Sequence, residues 1–244
     1  MESYEKTIRI PSNGYFGNLK EITLRAMTTK EEKILLTSRD FSVFKRLISS
    51  CCIKPKDLDI DLLHQNDIMY LIYALRQLTF GDTYVQESKC PECGANNSIE
   101  INISEMDVDF LDTDNIEEKL KVKLPVNGDT LQLKLLSSGD NEKLDRIIKQ
   151  KSAKGKLQDP DSYRITLGLM ELIVSRNDED FKDEEEKRNY VDNLHMKDLL
   201  VINNAINKVS NFGLDNNVIR VCENCGEEIT VAGIICPEFF RPSI

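Results

Sequence analysis

The feature that most constrains the fold of this chain is a pair of cysteine knuckles, CPECG at Cys90–Gly94 and CENCG at Cys222–Gly226. Each knuckle is half of a metal site. Zinc takes four soft ligands at tetrahedral corners, and two cysteines separated by two residues can bite one ion together. A glycine after the second cysteine lets the backbone turn without a steric penalty. Two such halves complete one four-thiolate site if the segments carrying them fold against each other. The expected ligands are Cys90, Cys93, Cys222 and Cys225, holding a structural Zn2+.

The segments around the knuckles also correspond. IRIPSNGYFGNLKEITLRAMTTKEEKILL from Ile8 lines up with VKLPVNGDTLQLKLLSSGDNEKLDRII from Val122. Pro11 matches Pro125, and Asn13-Gly14 matches Asn127-Gly128. Leu63, His64 and Asp67 match Leu194, His195 and Asp198, and Phe80-Gly81 matches Phe212-Gly213. The offset is 114 at the prolines, 131 at the histidines and 132 at the cysteines, as loop insertions would produce. The chain reads as an internal duplication. The expected fold is α+β, with two related halves sharing one four-cysteine zinc ribbon. The expected division is residues 1–104 as the first half, 105–120 as an acidic linker and 121–244 as the second half.

Each half reads as a strand–turn–strand opening, a first helical region, a second helix and a strand–knuckle–strand closing. Asn-Gly is a turn signal because both residues tolerate positive φ. Thr28 to Glu31 fits a capping box starting a helix to about Ser38, and Asp40 is the expected cap of a short helix carrying Phe44, Leu47 and Ile48. A second helix is expected over about Asn66–Thr79, with Ile68, Leu71, Ile72, Leu75 and Leu78 on one face and Gly81 as its stop. Its counterpart spans about Lys197–Ser210, with Leu199, Ile202, Ile206 and Val209 as its stripe. An extra helix is expected around Ser162–Arg176. Strands are expected at TYVQES, NSIEINI, NVIRV and EEITVAGII.

Composition narrows the function. The formal net charge is −10, with charged residues at 30%. A general nucleic-acid binder needs basic groups to replace phosphate counterions, so that class is disfavoured. The acid concentrates at 105–120 and 178–187, which read as solvated linkers or helix faces. The N-terminal MESYEKTIRI lacks the apolar segment of a secretion signal, and no apolar run reaches membrane-spanning length. Two CxxC pairs without a secretion signal read as zinc before disulfide. Redox CxxC motifs open a helix inside a βαβ unit, whereas these lie between strands. Cys51, Cys52 and Cys236 read as packing residues, and His64 and His195 as helix-entry residues. No nucleophile motif or phosphate loop is present, so no enzyme is expected.

The pieces Ile10–Gly14, Thr23–Thr28 and Lys30–Leu35, the helix HQNDIMYLIYALRQLTFGDTY running into its knuckle, and the tail EFFRPSI (Glu238–Ile244) together resemble the T4-like phage baseplate protein family. The resemblance is best over the first hundred residues. It implies a non-enzymatic baseplate hub component or assembly factor, made in the host cytoplasm and working through contacts with other phage baseplate or tail proteins, with no nucleic acid and no membrane. The alternative is a zinc ribbon that binds nucleic acid or transcription machinery, and a third reading is a metalloenzyme or redox protein. The ribbon loops carry Glu92, Glu223, Glu227 and Glu228 against only Lys89 and Arg220, which favours the first reading.

Overall fold

The structure, a computed structural model, describes residues 4–36, 41–155, 159–233 and 237–240. Strands β1 (Glu5–Arg9) and β2 (Glu21–Arg25) pair antiparallel, and β3 (Cys52–Lys54) adds to the other edge of β2. Between β2 and β3 run α1 (Thr29–Leu35) and α2 (Ser42–Cys51). Helix α3 (Gln65–Phe80) follows, and then the hairpin β4 (Thr83–Lys89)–β5 (Asn96–Asn102) that carries the first knuckle. The expected helix end at Ser38 and the expected cap Asp40 lie outside the described residues.

The chain then crosses over through β6 (Val108–Asp109) and α4 (Ile116–Lys119). A second three-stranded antiparallel sheet follows, built from β7 (Lys121–Lys123), β8 (Thr130–Leu133) and β9 (Ile173–Arg176). Two helices, α5 (Ser138–Ala153) and α6 (Pro160–Leu172), again separate its second and third strands. Helices α7 (Glu184–Asp192) and α8 (Met196–Ser210) precede β10 (Gly213–Leu214), which pairs with β6. The hairpin β11 (Asn217–Val221)–β12 (Glu228–Ala232) carries the second knuckle. Mixed helices and small sheets were expected. The helix expected at Ser162–Arg176 is shorter than that, because its last residues leave the helix at Leu172 and pair with β8. In order along the chain, α6 stands where α2 does. Helix α7 has no helical counterpart in this order; a 3-10 turn at Ile60–Leu62 stands opposite it.

Several local devices recur. Thr28 and Glu31 form the reciprocal capping box that starts α1, and Ser137 and Asp140 form the one that starts α5. Each boxed acid also meets a cation from the preceding strand region, Arg25–Glu31 at 2.9 Å and Lys134–Asp140 at 3.7 Å. The second strand of each sheet is irregular at corresponding places, between Thr23 and Leu24 and between Gln132 and Leu133.

A buried aspartate ties each opening loop to a helix start. Asp67 Oδ1 accepts from the Ser12 amide at 2.8 Å, and Asp67 Oδ2 accepts from the His64 amide at 3.3 Å. Asp198 accepts from the Val126 and Asn127 amides at 2.8 and 3.1 Å. Both carboxylates are fully buried, on the first turn of α3 and α8, where amide donors and the helix dipole favour negative charge. Burial, the largest influence on Asp67, holds its pKa above the ordinary carboxylate value, against the lowering effect of its Ser12 and His64 hydrogen bonds.

There are two hydrophobic cores, and each takes residues from the stretch of chain that builds most of the other. Ile22, Leu24, Leu47, Ile68, Leu71 and Ile72 anchor the first. It also takes Cys222, Ile229 and Val231 from the second hairpin, and Phe239 and Phe240 from the 3-10 turn Pro237–Phe240. Leu131, Leu133, Leu144, Ile173 and Ile202 anchor the second core, which takes Phe16 from the loop between β1 and β2. Each fully buried Ile or Leu contributes about 1.5–3 kcal/mol relative to exposure. The expected stripe Ile68, Leu71, Ile72 and Leu75 is fully buried, and Leu78 is partly buried. Of the α8 stripe, Ile202 and Val209 are buried, and Leu199 and Ile206 only partly. The acidic stretch 105–120 contributes buried Leu111 and Leu120 to the second core.

The two histidines share a place in sequence but not in environment. His64 is packed between Phe16 and Phe212, at ring-centroid distances of 5.7 and 4.9 Å, and its Nδ1 accepts from the Asn66 amide at 3.1 Å. His195 is exposed and makes no side-chain cap bond. Burial pushes the His64 pKa down to about 4. The neutral ring therefore stabilises the fold above its unfolded pKa of about 6.5, and the contribution is lost as pH falls from there towards 4. His64→Asn keeps a cap acceptor but removes the titration. Chemical denaturation of this variant at a series of pH values should lack a decline of roughly 3 kcal/mol that the native chain shows over that window.

Glu31 is fully buried and receives both Arg25 guanidinium nitrogens at 2.9 and 3.2 Å, Ser50 Oγ at 2.7 Å and the Thr28 amide at 2.9 Å. The hydrogen bond from Arg25 is the main reason its pKa lies far below the ordinary carboxylate range. Arg25→Met strands this carboxylate and should cost about 3 kcal/mol at neutral pH, the low end for a broken buried pair because Arg25 is partly exposed. The deficit should shrink as pH falls below about 4.5, where Glu31 of the variant can take up a proton.

Candidate metal centre

Both knuckles have the same local construction. In the first, the Gly94 amide donates to the Cys90 carbonyl at 3.0 Å and the Cys90 amide donates to the Ala95 carbonyl at 2.9 Å. In the second, Gly226 donates to Cys222 at 2.9 Å and Cys222 donates to Glu227 at 2.8 Å. Closing so tight a turn requires positive φ, which is 72° at Gly94 and 79° at Gly226. The flanking strands alternate. Tyr84, Ile99 and Ile101 of the first hairpin and Ile229 and Val231 of the second point into the shared core. Burying both inner faces in one core is what brings the two tips together.

At the tips, the sulfurs of Cys90, Cys93, Cys222 and Cys225 all lie within 4.8 Å of one another. Cys90 Sγ is 3.7 Å from Cys225 Sγ, and Cys93 Sγ is 3.7 Å from Cys222 Sγ. Four thiolates bound at roughly 2.3 Å to one tetrahedral ion stand about 3.8 Å apart. A disulfide would need roughly 2.05 Å, and all four cysteines are free. The set can hold a metal ion. Cys90 and Cys222 are buried, and Cys93 and Cys225 face outward.

The surroundings favour thiolate at Cys222 and Cys93. The Cys222 pKa is drawn down to about 6, first by hydrogen bonding from the Cys225 amide, with the Asn224 amide and the Asn97 side chain adding to it. The Cys93 pKa is lowered chiefly by the Asn224 side chain. Cys225 is pushed up to about 12: the Glu227 amide lowers it, but the thiols of Cys93, Cys222 and Cys90 together with desolvation outweigh that. Four sulfurs this close cannot all shed protons without a cation among them, and a bound ion supplies that charge. Asn97 also bridges the knuckles, accepting from the Glu223 amide at 3.2 Å while donating to the Ala95 carbonyl at 3.0 Å. The sequence reading did not single out Asn97; its place inside a polar strand gave no signal.

The remaining expected residues lie elsewhere. Cys51, the last residue of α2, is fully buried in the first core, and burial raises its pKa to about 12. Cys52 is partly buried beside it, its thiol against the Pro55 carbonyl. Cys236 lies outside the described residues. Neither His64 nor His195 is part of the sulfur cluster.

The family model described as T4 bacteriophage base plate protein matches residues 1–241. The chain belongs to that family. No curated protein and no solved structure gives a significant match. Among the described residues of this baseplate-family chain, no helix is long and apolar enough to cross a membrane.

If both knuckles serve one ion, elemental analysis should find one metal per chain, and Cys90→Ser and Cys222→Ser should each abolish it. Structural zinc in zinc-finger peptides is worth about 10–16 kcal/mol to folding. Both variants should therefore lose a similar, large amount of stability in denaturant titrations. Loss of metal in only one variant would show that the knuckles bind separately.

Proposed function

We propose that this chain is a non-enzymatic component or assembly factor of the phage baseplate hub, acting through protein–protein contacts, with one zinc ion locking its two knuckles together. The observation that carries the reading is the family match along nearly the whole chain. The site supports it: a single ion held by all four clustered sulfurs would have each corner of its tetrahedron filled, leaving no open position for a substrate or an activated water. Zinc suits four thiolates in tetrahedral array better than the oxygen-seeking cations do.

Two related halves, divided at an acidic connection over 105–120, belong to the same proposal. The repeated sheet topology supports them, as do the paired capping boxes and the Asp67 and Asp198 clamps acting on corresponding loop amides. An acidic ribbon supports a protein partner over a nucleic acid. Glu92, Glu223, Glu227 and Glu228 are all exposed at the tips, on a chain of net charge −10. Such a protein would act in the host cytoplasm during tail building, and the baseplate family is consistent with a place in the virion tail.

The test is co-purification of the zinc-loaded chain with the hub proteins of its own phage, beside a mobility-shift assay with duplex DNA near physiological salt. Association with a hub protein that is lost in Cys90→Ser, with no DNA shift, is the expected result. DNA binding that weakens steeply with salt, with no tail protein retained, would replace this reading with the nucleic-acid one. Neutralising the acids of 178–187 should weaken association with a basic partner, and unchanged binding would exclude that segment from the interface.

A further inference from the structure

Helices α3 and α8 start at aligned residues but end up covered very differently. On α3, Tyr73 is fully buried under the Phe239 ring, with centroids 5.0 Å apart, while Phe240 packs on Phe44 at 6.1 Å. The covering strand end fits because residue 233 is glycine: a Cβ there would fall 2.0 Å from the Tyr73 hydroxyl. An aromatic 3-10 turn thus seals that helix face. With the offset that aligns His64 with His195, Tyr73, Ala74 and Gln77 correspond to Asn204, Ala205 and Lys208. Here nothing comparable covers the helix among the described residues. Asn204 and Lys208 are exposed, and an open groove of about 700 Å³ runs beside them.

The groove is walled by Phe110, Leu111, Val122, Val201, Ala205 and Val209. Phe110 is left 39% exposed beside this apolar cavity. The rim carries Lys119, Lys208 and Asp112, and Arg9 lies over the Phe110 ring at 4.7 Å. Asp112 holds Lys119 at 2.6 Å, and Lys208 has no carboxylate partner among the described residues. On a strongly acidic chain, this is an apolar groove with a free cation at its edge.

We propose that the groove beside α8 is a docking site for a partner protein's turn that carries an aromatic anchor and an adjacent acidic residue. The aromatic ring enters between Phe110 and Ala205, as Phe239 does over Tyr73 in the first half, and the acid pairs with Lys208. Aromatic anchors in apolar pockets supply most of the energy of such interfaces, and charge at the rim selects the partner. The inference deepens the protein–protein reading above and rests on it.

The experiment uses the zinc-loaded full chain and a short fluorescent peptide containing a Glu-Phe-Phe turn. Saturable binding is expected. It should fall at least about tenfold when the groove is filled by Ala205→Phe or when the peptide phenylalanines become alanine. Lys208→Glu, an exposed change that leaves packing alone, should weaken it severalfold, and Lys208→Arg should restore it. Zinc content and melting temperature are followed in parallel. No saturable binding by the native chain, or equal binding by the native chain and Lys208→Glu, overturns the proposal. So does loss confined to an Ile219→Lys variant on the exposed face of β11. A chain that still co-purifies with a hub protein after Ala205→Phe removes the groove but keeps the assembly function, whereas a native chain that retains no tail protein removes both.

Discussion

Four sulfur atoms from two distant stretches of chain share a space less than 5 Å across, and the rest of the fold is arranged to make that possible. Thiols placed so close repel when ionised, so the arrangement is stable only when a cation neutralises them or when most stay protonated. The second hairpin has little core of its own. Ile229 and Val231 pack instead among Tyr84, Ile99 and Ile101 of the first, and this shared burial presents the two tips to each other.

The exchange of parts goes further than the two hairpins. Phe239 and Phe240 seal the first core, and Phe16 enters the second. The Leu111 amide donates to the Pro11 carbonyl, and the Ser138 amide donates to the Leu63 carbonyl, both at 2.8 Å. Gly139 lies so close to the Asp61 carbonyl that a Cβ would sit 2.9 Å from its oxygen. Each core is therefore closed by residues from the stretch that builds the other. The loosest closure, beside α8, is where a partner would complete the packing.

Much of the architecture was legible because its signals are local. A capping box at Thr28 and Glu31, the apolar periodicity of Ile68 to Leu75 and the CxxCG spacing each depend on a few neighbouring residues. The family resemblance was legible for the same reason, through short ordered pieces. Local signals misled at Ser162–Arg176, where Ile173 to Arg176 continue an apolar pattern that a helix could use. Pairing with β8 won there, because the sheet needs a third strand to satisfy the Gln132 and Leu133 backbone. The matching histidines do enter their helices as expected, each at the N-cap, yet only His64 has two phenylalanines to bury it, which no local signal could show.

The sequence by itself determined the two cysteine pairs, several helix starts, the acidity and the family, since each is written in residue type and short spacing. Only the tertiary structure decided that the sulfurs converge, that Asp67 and Asp198 are buried against loop amides, and that one helix face is sealed while its counterpart stays open. Those outcomes depend on which distant surfaces meet. Such meetings are set by the summed burial of many apolar groups, and no single stretch of sequence carries that sum.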